Sequence, residues 1–136
     1  MLAKKIENLL ENTCWIIDVL PRRVSKTRAK QYSDLEKVLL RSEELIKKHY
    51  NIILKLNCYY KLKLVNCDGE ELGEAEPEKL SKYVGHKPMY LLCTNSLIAL
   101  DPDDMHMILY NPSRMLLSTV KQIVSSEGMF LWKSEK

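Results

Sequence analysis

At 136 residues the chain lies in the size range of one domain, able to bury about two-thirds of the surface its unfolded form exposes. Its 46% hydrophobic and 29% charged residues are close to the globular average, and only four glycines and five prolines argue against long disordered tracts. A net charge of +3 is too small to argue for a polyanion partner by itself, and no run approaches the roughly twenty apolar residues of a bilayer-spanning helix.

Residues 2–12 carry Ile6, Leu9 and Leu10 at helical spacing, which predicts a short amphipathic helix that is stable only when docked. Glu7 and Glu11 interrupt any signal-peptide core, so the expected address is cytoplasmic. The run CWIIDVL (14–20), rich in β-branched and aromatic residues and ended by Pro21, reads as an interior strand. After a basic stretch, Leu35, Val38, Leu39, Leu45, Ile46, Tyr50, Ile53 and Leu54 suggest one face of a single long helix, with Ser33 and Glu36 as its capping box.

CYYKLKLVN sets Tyr60, Leu62 and Leu64 against Lys61 and Lys63, the alternation of a strand with one wet face. An acidic loop then leads to PEKLSKYVGH, where Pro77 suits a first helical turn and Gly85 a C-terminal cap. MYLLC, LIAL and MHMILY are apolar pieces separated by TNS and DPDD, the rhythm of a meander. Asn111 and Pro112 are placed to start the next helix, with Leu116, Val120, Ile123 and Val124 as its buried stripe and Gly128 beyond its end; MFLW (129–132) reads as a last strand.

Helices interspersed with antiparallel strands predict one α+β domain spanning 1–136. The expected form is a two-layer sandwich of about five strands, with helices on one face and a ferredoxin-like order carrying insertions. Such a layout hosts many unrelated activities, so function has to be argued from a site.

The charges are unevenly distributed. PRRVSKTRAK holds Arg22, Arg23, Lys26, Arg28 and Lys30 with no acid, and CDGEELGEAEPE holds Glu70, Glu71 and Glu74 among six acids with no base. These eight residues are the candidate binding residues. The first expectation is a non-enzymatic module that docks another macromolecule, a protein before a nucleic acid, with the two charged segments supplying selectivity. The basic loop alone would suit RNA, DNA or a phosphorylated ligand. A homo-oligomer is also possible, and no membrane partner is expected.

A third reading is an enzyme with a cleft near Asp18, the one acid inside the most apolar strand, where burial would raise its pKa. No G-x-G-x-x-G, P-loop, H-E-x-x-H or G-x-S-x-G motif accompanies it, and His49, His86 and His106 are scattered. No catalytic, cofactor or metal residues are therefore assigned. Asp101, Asp103, Asp104 and His106 lack the alternating donors and glycine of a Ca²⁺ loop, and Asp-Pro-Asp-Asp fits a type I turn. Cys14, Cys58, Cys67 and Cys93 form no C-x-x-C pair and read as reduced, packed thiols.

Overall fold

Leu40 and Leu45 are five residues apart, and Arg41-Ser42-Glu43-Glu44 between them gives a helix no apolar contact for a full turn. In a computed structural model describing residues 2–135 the chain breaks there. Helix α2 runs Ala29–Leu39 and helix α3 runs Glu43–Leu56, with Arg41 between them in the left-handed region at φ 64°. The single rod expected over 35–54 is therefore corrected to two helices. Ser42 caps α3, its side chain accepting from the Leu45 N–H at 3.1 Å, and Glu43 and Glu44 complement the dipole in the first turn. Ser33 lies inside α2 and caps nothing.

The remaining elements are α1 (Leu2–Leu9), β1 (Cys14–Asp18), β2 (Lys63–Asn66), β3 (Glu71–Glu74), α4 (Pro77–Tyr83), β4 (Met89–Cys93), β5 (Ser96–Leu100), β6 (Met107–Tyr110), α5 (Arg114–Ser126) and β7 (Phe130–Lys133). A single turn of 3-10 helix, Lys26–Arg28, leads into α2. Pro77 opens α4, and Gly85 and Gly128 follow α4 and α5 with φ of 80° and 73°, as their positions suggested. Asn111 does not cap α5. Ser113 does, accepting from the Leu116 N–H, while Asn111 takes φ 51° at the end of β6.

All seven strands form one antiparallel sheet in the order β3-β2-β4-β5-β6-β1-β7. The α+β kind agrees with expectation, but the strand count exceeds it by two. One extra strand, β3, comes from the acidic segment expected to be a loop; Gly69, at φ 85°, turns the chain into it. The other follows from separating MYLLC, LIAL and MHMILY into three paired strands. Because β6 and β7 both lie antiparallel to β1, the unit β6-α5-β7 is a β-α-β crossover split around β1.

Helices do not keep to one face. Ile52, Ile53 and Leu56 of α3, Leu80 of α4 and Val120 and Val124 of α5 meet Ile17, Leu64, Leu91, Ile98 and Leu109 in the main core. On the opposite face, Ile6 and Leu9 of α1 pack on Cys14, Val65, Leu92, Leu97 and Tyr110. This explains why β4 and β5 read as continuous apolar runs: both their faces are covered. It also stabilises an eight-residue helix that would melt alone. Since α1 is short, it covers only part of that second face.

Candidate binding site

Alternation along β1 sends Trp15 and Ile17 into the main core and leaves Ile16 and Asp18 on the second face, beyond the reach of α1. Ile17 pairs with Met107 on one side, so Asp18 lies next to His106 across the strand pair, and Asp18 pairs with Phe130 on the other side. Pro21 then ends the ladder, and the chain folds back as the basic loop before entering α2. Loop, helix and sheet enclose a cavity of about 320 Å³.

Asp18 and His106 line this cavity together with Ile16, Trp132 and Tyr32, and the loop contributes Arg22, Arg23, Ser25 and Lys26. Only 5% of Asp18 is exposed. One of its carboxylate oxygens accepts from the Val19 N–H at 2.7 Å, but it has no ion pair among the described residues. Burial raises its pKa above the ordinary carboxylate value; the Val19 N–H and the charge of His106 act in the opposite direction without cancelling the rise. Tyr32 is pushed up in turn, by burial first and then by the carboxylates of Asp18, Glu36 and Asp104. Trp132 is held in place by its indole N–H, which donates to the Leu20 carbonyl at 3.1 Å.

The predicted binding residues separate into two groups. Arg22, Arg23 and Lys26 are exposed at the cavity mouth, with no ion pair among the described residues. Arg28 and Lys30 lie further along, at the start of α2, where Lys30 pairs with Asp34 at 3.0 Å. Glu71 and Glu74 are on β3, the edge strand remote from β1, with β2, β4, β5 and β6 between; five strand spacings correspond to roughly 24 Å. Glu71 lies 3.5 Å from Lys63 and Glu74 3.3 Å from Lys61, while Glu70 accepts from the Asn66 side chain. Charges along an exposed edge strand discourage pairing with other chains, which gives these acids a local role.

The opening of β6 is the expected turn: the Asp103 N–H donates to the Asp101 carboxylate at 2.9 Å and the Asp104 N–H to the Asp101 carbonyl at 3.0 Å. Among the described residues no three His, Cys, Asp or Glu side chains gather in a way that could hold a metal ion. All four cysteines are free; Cys14 and Cys93 are buried, whereas Cys58 and Cys67 are exposed rather than packed. No helix among the described residues is long and apolar enough to cross a membrane.

Sequence reasoning missed the walls of the cavity. His106 read as a packed or surface residue, and Trp132 as an ordinary strand residue, because only the β6-β1-β7 order brings both beside Asp18. Tyr32 carried a weak signal as the aromatic residue nearest the basic run. No protein-family model, curated protein or solved structure matches the chain.

Proposed function

We propose that the chain acts by binding, and that its site is the Asp18 cavity with the basic rim above it, which takes an oxyanion carried by a partner. One observation carries this reading: a buried carboxyl group on a strand, with no ion pair among the described residues, lines a cavity together with three cations that have no acidic partner among those residues. Burying an unpaired acid opposes folding. Such an arrangement is retained more readily by a binding site than by a core.

A protein partner gripped by both charged segments at once is disfavoured by their positions on the sheet and by the local pairing of the acids. In its remaining form, the protein reading has an acidic peptide entering the basic loop. Phosphate on a nucleic acid or a small ligand offers the same chemistry. The third reading, turnover at Asp18, would use Asp18, His106 and Tyr32 as proton-transfer groups.

Titrating the protein at low salt with inorganic phosphate, a Glu-rich peptide and a short single-stranded RNA separates these forms. We expect saturable binding of at least one oxyanion, weakened by added salt and lost in the Arg22→Ala/Arg23→Ala double variant. Binding to none of them, or affinity unchanged in that variant, would remove the proposal. Chemical conversion of a bound ligand would transfer it to the enzymatic reading.

A further inference from the structure

We infer that the occupant of this cavity is a single guanine nucleotide, its base edge at Asp18 and its phosphate at Arg22, Arg23 and Lys26. The inference rests on the oxyanion reading above and adds the identity of the group at the inner end. Size is the first argument. At about 320 Å³ the cavity is at the lower end of small-molecule sites. It suits one compact ligand.

Polarity is the second argument. Asp18 is almost fully enclosed, whereas the cations are on exposed loop residues, so the acceptor lies deep and the positive charge lies at the mouth. A ligand that satisfies both ends carries N–H donors at one end and a negative group at the other. The wall between them is the third: Trp132, Tyr32 and Ile16 offer apolar and aromatic surface of the kind on which a flat ring packs. The Trp132 indole is already held by Leu20, so little ordering is left for the ligand to impose.

Guanine is selected by its donors. Its Watson–Crick edge presents a ring N–H beside an amino group, two adjacent donors that can grip both oxygens of one carboxylate. The carboxylate meets the Val19 and Leu20 N–H groups, and two such donors leave lone pairs on its oxygens for this purpose. Adenine and cytosine each place a ring acceptor beside the amino group, and that acceptor would face the lone pairs of Asp18. The 5′-phosphate, at the far side of the ribose, then extends toward the arginines, which favour phosphate through their forked donors.

The test is calorimetric titration of the full chain at low salt with GMP, IMP, AMP, guanosine and inorganic phosphate, with tryptophan fluorescence as a second readout. GMP should bind roughly tenfold more tightly than IMP, which lacks only the amino group, and than AMP, as expected for a paired hydrogen-bond contact. Asp18→Asn should erase the GMP preference and leave inorganic phosphate binding intact. Arg22→Ala/Arg23→Ala should weaken GMP and leave guanosine unchanged. If phosphate binds but GMP, IMP and AMP are equivalent, the nucleotide assignment fails while the oxyanion reading stands. If phosphate and every nucleotide fail to bind, the nucleotide assignment fails, and the oxyanion reading fails with it when the Glu-rich peptide and the RNA also do not bind.

Discussion

The indole of Trp132 donates to the Leu20 carbonyl at 3.1 Å, across 112 residues of sequence, and so ties the last strand to the point where β1 gives way to the basic loop. We expect this bond to hold the start of the loop and, with it, one wall of the cavity. Trp132→Phe keeps an apolar ring and removes the donor. The expected result is a loss of about 1 kcal/mol in denaturant unfolding, with faster amide exchange in residues 19–25. Unchanged exchange there would show that the bond does not position the loop.

Asp18→Asn is expected to stabilise the protein at neutral pH. The folded-state pKa of Asp18 is raised by burial. The native state therefore holds the proton more tightly than the unfolded chain, and the contribution of Asp18 to stability falls as pH rises through its folded pKa. The amide retains an oxygen to accept from Val19 and carries no charge to desolvate. Unfolding midpoints should favour the variant at pH 7 and converge with the parent as pH drops toward the ordinary carboxylate range. A variant less stable at pH 7 would mean that the charge is compensated in the fold, and the argument for a retained functional acid would weaken.

His49 has the opposite dependence. It lies on α3 with 4% exposure, and its Nε2 atom is buried without a hydrogen-bond partner. Burial lowers its pKa from 6.5 to about 4, although an interaction with the Met105 backbone favours the charged form. The unfolded chain takes up a proton first, so stability is complete above pH 6.5 and declines as pH falls toward 4, by roughly 3 kcal/mol. Urea unfolding across pH 4–7 measures this, and His49→Leu should flatten the profile. A profile already flat in the parent would contradict the enclosed, neutral imidazole.

The boundary between α2 and α3 can be tested with two serines. Ser42→Ala removes the acceptor for the Leu45 N–H and should destabilise by about 1 kcal/mol. Ser33→Ala, inside α2, should be neutral or slightly stabilising because alanine is the better helix former. The reverse result would restore one rod capped at Ser33.

Elements whose instructions are local were legible in the sequence. Pro77 and Gly85 bracket α4, Asp101 builds its own turn, and Leu116, Val120, Ile123 and Val124 line the buried side of α5. The helix break escaped because a stripe of eight apolar residues outweighed the polar turn Arg41-Ser42-Glu43-Glu44, and Val38, read as part of that stripe, is 73% exposed. The acidic segment became β3 because Lys61 and Lys63 on the neighbouring segment offset its charge, a partnership that only strand pairing creates. Half of the site was readable in the same way: Asp18 and the cations of the loop are consecutive in the chain. His106, just before β6, and Trp132, on β7, are about 90 and 115 residues away, and no local pattern announces them.

Gly85 is a position where conformation and space agree. Its φ of 80° favours glycine, and a methyl group there would meet the Ile46 side chain at 2.6 Å. Gly85→Ala should destabilise by about 1–2 kcal/mol in thermal or denaturant unfolding. A neutral result would show that α4 and α3 can separate at little cost.

The most direct test of the Asp18 cavity as the binding site is a backbone and indole amide NMR titration of the isotopically labelled chain with GMP at low salt. The account predicts that shift changes concentrate at residues 16–26, at His106 and at the Trp132 indole N–H, and that the Arg22→Ala/Arg23→Ala variant needs a higher GMP concentration to reach them. Changes confined to the β2-β3 hairpin, or none at any ligand concentration that remains soluble, would contradict it.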